Sequence, residues 1–226
     1  LFQKGFPPTS KVSVSYNGNN QLFSLQAIDD SLEVRPPPFT NVIFNIEVSS
    51  EKLSPNVNTD PISKIEAFDE DLKPVKTFEG EEEKILSNLS EYIETVDPDF
   101  IVADDVEEKL NYILERSRIL GLKLQLGRED ADISEPKRLL PYCCRGRVPL
   151  HLDTFLQIGI AGVVEGSRFT LFPPGLAAKW PAGRTIDSRQ CYEALKMGIL
   201  IPKSNSFFRF VKTAKNVIFS DRGGLI

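Results

Sequence analysis

Residues 41 to 48, N-V-I-F-N-I-E-V, constrain the fold more than any other segment of this 226-residue chain. Val42, Ile43 and Phe44 are consecutive, so neither face of a strand built from them can meet water. Such a strand belongs at the centre of a sheet covered on both sides. The run then turns polar at Asn45 and acidic at Glu47. Two residues apart on one strand, these side chains share a face, and they form a candidate polar site at the end of a buried strand.

The neighbouring segments supply the rest of a sheet. Residues 12–16 and 21–28 alternate around Asn17-Gly18-Asn19-Asn20, the pattern of a β-hairpin, and Pro36-Pro37-Pro38 stiffens the linker that follows. Residues 62–69 and 74–79 read as two more strands joined by the acidic turn Asp69-Glu70-Asp71, which completes an antiparallel meander. After Gly80 the period changes. Ile85, Leu86, Leu89, Tyr92 and Ile93 recur at helical spacing behind Glu81-Glu82-Glu83, acids well placed at the positive end of a helix. Residues 100–103 then make a short apolar strand. Asp104-Asp105 leads into a second helix, with Leu110, Ile113, Leu114 and Ile119, that Gly121 stops.

Beyond that the pattern weakens. Residues 150–156, which include the only histidine, His151, read as a further strand, and a lone histidine there is packed or surface-exposed rather than catalytic. Gly162, Gly166, Pro173-Pro174-Gly175 and Pro181-Ala182-Gly183 suggest an irregular connection over 161–184. Asp187 is placed to cap a last helix reaching Met197, with Cys191, Ala194 and Leu195 on its apolar side. The expected organisation is α/β: a partial N-terminal β region over 1–38, a mixed-sheet domain with flanking helices over 39–160, and a helical or irregular extension over 161–226.

Composition narrows the function classes. Hydrophobic residues make up 41% of the chain and charged residues 26%, an ordinary globular balance. No segment approaches the roughly 18 to 20 apolar residues needed to cross a bilayer, so no membrane association is expected and the location expected is cytoplasmic. Cys143 and Cys144 are adjacent and Cys191 is alone, which builds neither a disulfide framework nor a zinc site. The net charge of −5 conceals an asymmetry: residues 1–126 carry 12 basic against 23 acidic side chains, and residues 127–226 carry 15 against 9. The basic half is either a polyanion-binding face or ordinary solvated surface. Lys137, Arg138, Arg145, Arg147 and Arg168 are its candidate phosphate contacts, arginine offering forked donors to anionic oxygens.

Four segments, in this order, carry a resemblance. They are F-N-I-E at 44–47; P-D-F-I-V at 98–102 with Y-I-L-E-R-S-R-I-L-G at 112–121; G-R-V-P-L-H-L-D at 146–153; and I-D-S-R-Q-C-Y-E-A-L at 186–195 with D-R-G-G-L-I at 221–226. Together they resemble the exonuclease region of family B DNA polymerases, in particular an archaeal group whose members have lost parts of their active sites. The resemblance implies an RNase H-like fold. In active members four carboxylates hold two divalent cations, Mg2+ or Mn2+, that activate water for removal of mismatched 3′ nucleotides. The nucleotide-adding palm would begin after Ile226, so polymerization is not expected of these residues.

Measured against that pattern, Asn45 stands where the first motif has aspartate, while Glu47 is present. Lys109 and Leu110 occupy the neighbourhood of the second-motif aspartate, and a lysine there repels a cation. The third motif, a tyrosine and an aspartate on a helix, is not legible between Asp153 and Asp187, nor is enough regular chain to hold it. Three readings stay open. One is a catalytically silent, exonuclease-like domain that retains an architectural or DNA-holding role in replication or repair, binds no metal tightly, and has DNA and the remaining polymerase domains as partners. Another is a working nuclease in which Asp104 and Asp105 join Glu47 in a rearranged, Mg2+- or Mn2+-dependent site; the bland alternative for those two acids is a helix cap and a solvated neighbour. The last is a protein-interaction or DNA-binding module without chemistry of its own.

Overall fold

The computed structural model of the chain describes residues 6–29, 36–50, 54–128, 146–179 and 181–200. The N-terminal hairpin forms as its alternation requires, β1 (Lys11–Tyr16) pairing antiparallel with β2 (Leu22–Asp29) around the Asn17 turn. The apolar run is β3 (Asn41–Val48), and β4 (Ile62–Phe68) and β5 (Pro74–Glu79) follow it as the expected meander. Helix α1 (Glu82–Val96), strand β6 (Phe100–Ala103) and helix α2 (Val106–Ile119) come next. A final strand, β7 (Val148–His151), completes a five-stranded sheet of order β5-β4-β3-β6-β7. β3 is central, antiparallel to β4 and parallel to β6, which in turn runs parallel to β7. This is the mixed α/β sheet with flanking helices that the sequence implies.

Alternation along β3 divides the core. Phe44 joins Ile65, Ile101 and Ala103 against Ile85, Leu86, Leu89 and Ile93 of α1 and Val106, Leu110 and Ile113 of α2. Ile43 goes to the opposite face with Phe100, Val102, Leu150 and Val163. Each fully buried side chain of this size contributes roughly 1.5–3 kcal/mol relative to exposure, so the central strand is held from both sides. Of the apolar residues assigned to α2 from periodicity, Ile119 lies outside this core, 48% exposed in the last turn.

The C-terminal part corrects the sequence reading. The strand expected over 150–156 stops at His151, and helix α3 (Leu152–Thr170) begins at the next residue. Residues 161–184 are not an irregular connection: they hold the second half of α3, the short α4 (Pro174–Ala177), and the start of α5 (Ala182–Lys196). Glycines at 162 and 166 weaken a helix by about 1 kcal/mol each, but Val163, Val164, Ser167 and Thr170 recur on one buried face and packing outweighs that penalty. The interruption comes at Gly159, whose φ of 63° and ψ of −178° kink α3. α5 starts at Ala182 behind Pro181, so Asp187 lies inside the helix rather than at its cap. Leu195, expected on its apolar side, is 59% exposed.

The described chain divides into two units, one ending at Trp180 and the other beginning at Pro181. No described helix is long and apolar enough to cross a membrane.

Candidate functional site

Parallel pairing of β3 with β6 brings two strand ends to one edge of the sheet. Ile43 is in register with Val102, so Asn45 and Asp104, each two residues further on, emerge side by side. Phe44 and Ile46 pack on the α1/α2 side, which sends Asn45 and Glu47 to the other face. On β4, Glu66 lies opposite Asn45 and Lys64 opposite Glu47. Directly opposed side chains interact across a strand pair, so these four residues form one polar cluster.

The two lysines of the cluster neighbourhood are both engaged. Lys109, one turn into α2, donates from Nζ to Asn45 Oδ1 at 2.5 Å and also to Asp104 Oδ1. Its side chain is 15% exposed, whereas that of Asp104 is 64% exposed. Lys64 Nζ lies 2.9 Å from Glu66 Oε1 and 3.4 Å from Glu47 Oε1. The hydrogen bond to Glu66, with Glu47 beside it, holds the Lys64 amine above its usual range despite partial burial. Asp105 occupies the cap position of α2 with φ of 42°, but its side chain makes no capping hydrogen bond. Among the described residues no three His, Cys, Asp or Glu side chains converge as a metal-binding group. The oxygens offered here are an amide and carboxylates already facing ammonium groups.

The sequence candidates for phosphate binding separate. Arg147 is corrected: its side chain is 3% exposed, and its guanidinium donates to Leu126 O at 2.9 Å, Asp97 Oδ1 at 2.7 Å and Pro98 O at 2.6 Å. It fastens the start of β7 to the turn between α1 and β6 and presents no face to an outside anion. Arg168 is corrected too, being 2% exposed inside the fold. Lys137, Arg138 and Arg145 lie outside the described residues. The interval that was to hold the third motif does contain a regular helix, α3, but no tyrosine occurs between Asp153 and Asp187.

Periodicity missed two ionic networks. Arg128 bonds Asp97 Oδ1 at 2.7 Å and Asp99 Oδ1 at 2.9 Å, and the Arg128 and Arg147 guanidiniums hold the Asp97 carboxyl below its usual range. Burial pushes Asp99 up, but the Thr40 N–H and Arg128 outweigh it and keep that carboxyl low as well. In the second network, Arg116 of α2 grips Glu82 of α1 through Nε at 2.8 Å and Nη2 at 2.5 Å. Its only signal in the sequence is an arginine placed on the buried side of an amphipathic helix.

No family model matches the chain. Over 135 residues the chain is 25% identical to DNA polymerase 2 of Aeropyrum pernix, covering 57% of this chain and 17% of that protein. Its structure matches that of the family B DNA polymerase from the hyperthermophilic archaeon Pyrobaculum calidifontis with a TM-score of 0.68 over 89% of this chain, at 16% identity. The chain resembles part of a family B DNA polymerase. It spans 36% of the Pyrobaculum polymerase, so most of such a polymerase lies outside the matched region. In the five-stranded sheet, Asn45 and Glu47 sit on the central strand, and Lys109 on the helix that follows β6.

Proposed function

We propose that this region is the exonuclease-like part of a family B DNA polymerase, that it does not hydrolyse DNA, and that it serves architecture and DNA holding in replication or repair. The reading is carried by one contact: the Lys109 ammonium bonded to both Asn45 and Asp104, at the strand edge where the resemblance places metal-binding carboxylates. A two-cation mechanism needs several anionic oxygens free to face each metal. Here one ligand position carries an amide, and the oxygens of Asn45, Asp104, Glu47 and Glu66 are turned to lysines. That donor set does not fit a pair of Mg2+ or Mn2+ ions, so neither is assigned as a cofactor.

The partners of this reading are DNA and the remaining polymerase domains, in a cytoplasmic protein. Incubating the chain with single-stranded and 3′-mismatched DNA, with Mg2+ or Mn2+, is expected to give no metal-dependent shortening. Shortening that disappears in Glu47→Ala would overturn the reading in favour of a rearranged but working exonuclease.

A further inference from the structure

We infer that Lys109, rather than Asn45, is the residue that keeps divalent cations out of this cluster, acting as its built-in counter-ion. The inference rests on the reading of the region as a silent exonuclease-like domain. An amide oxygen is a competent ligand for a hard cation, so an asparagine at the first-motif position weakens a metal site without closing it. The ammonium closes it. Lys109 Nζ bonds Asn45 Oδ1 at 2.5 Å and bridges to Asp104 Oδ1, so it engages an oxygen of each residue and sets a full positive charge between them. With only 15% of its side chain exposed, that charge is poorly screened by solvent. Lys64 pairs with Glu47 and Glu66 at the far side of the cluster, and its partners among the described residues include neither Asn45 nor Asp104.

The order of effects follows from the geometry. Asn45→Asp alone gives Lys109 a second carboxylate and tightens the lock instead of opening it. Removing the charge while keeping the unbranched stem up to the ε position, as in Lys109→Met, releases both oxygens. Restoring the carboxylate matters only after that.

The test is a Mn2+ titration of the full chain, read by the electron paramagnetic resonance of free Mn2+, with circular dichroism to establish folding. Unchanged protein and Asn45→Asp are expected to leave the free-ion signal undiminished. Asn45→Asp/Lys109→Met is expected to deplete it, with affinity at least about tenfold above that of Asn45→Asp once the ammonium's repulsion is gone. Asn45→Asp/Lys109→Gln is carried alongside, since either replacement removes the charge and one folded variant suffices. Asn45→Asp binding as tightly as the folded double variants would overturn the inference, and so would folded double variants that still bind nothing. Tight binding of Mn2+ by the unchanged protein would instead overturn the reading of a silent site.

Discussion

Glu82→Ala is the substitution whose cost the structure sets most directly. The carboxylate accepts from Arg116 Nε at 2.8 Å, Arg116 Nη2 at 2.5 Å and the Ile62 N–H at 2.8 Å. The side chains of Glu82 and Arg116 are 10% and 8% exposed. Truncation leaves the guanidinium, still bonded to Val57 O at 2.9 Å, buried without its counter-charge and strands the Ile62 donor. Breaking a buried pair from one side costs about 3–5 kcal/mol, and 1 kcal/mol corresponds to about 2–4 °C in a chain of this size, so Tm is expected to fall by roughly 6–20 °C. The double variant Glu82→Ala/Arg116→Met orphans no charge and is expected to recover most of that loss.

The pH dependence has a definite sign. Burial pushes the Glu82 carboxyl up, but the bonds from Arg116 and Ile62 outweigh it, leaving the folded value below the ordinary one. The folded state therefore binds fewer protons than the unfolded chain as acid is added. Stability from the pair is complete above the unfolded value of about 4.3 and is lost as pH falls through the lower folded value. Thermal melts followed by circular dichroism at pH 7 and at pH 3 test both statements. A drop under about 2 °C at pH 7, or a gap between parent and variant that is the same at both pH values, refutes the argument.

Arg147→Met is expected to destabilise by about 3 kcal/mol in urea melts, because its partners Asp97, Leu126 O and Pro98 O lose a buried charged donor. If the proposed DNA-holding role is right, a salt-titrated DNA-binding assay is expected to show the slope of affinity against salt unchanged in this variant and flattened by charge reversal at Arg145. Gly146→Ala is expected to cost about 1–3 kcal/mol: Gly146 has φ of +84°, and an added Cβ would lie 2.9 Å from Arg128 Cβ. A urea midpoint within error of the parent would show that this turn yields freely.

The sheet was legible because its strands announce themselves locally. Val42, Ile43 and Phe44 demand cover on both faces, and the meander and both helices after it have clear periods and clear stops. The region after His151 was not, because glycines and prolines that break a helix in isolation are tolerated where Val163, Val164 and Thr170 are buried. At the candidate site, the place of Asn45 and Glu47 at the polar end of a buried strand was readable from the run itself. Lys64 and Glu66 were not, since their place opposite Glu47 and Asn45 depends on the register of β3 with β4. Arg147 misled for a related reason: charge in a sequence does not say whether its donors face water or the carbonyls of a neighbouring turn.

Once β3 is buried, the charges at its end need compensation whatever the domain does. Phe44 and Ile46 must face the α1/α2 core, so Asn45 and Glu47 must face away from it, toward Glu66 of β4, while the parallel neighbour β6 delivers Asp104 to the same edge. Carboxylates carried to one edge of a sheet repel one another unless cations intervene. Two bound divalent ions would compensate them in a metal-dependent nuclease. In this chain Lys109 and Lys64 do so from within the fold, each touching a pair of acceptor residues. A lysine cannot be removed by a chelator or diluted away. The cluster should therefore keep its geometry in EDTA, and a Tm that falls by more than about 2 °C on chelation would mean that a metal, not an ammonium, holds these oxygens together.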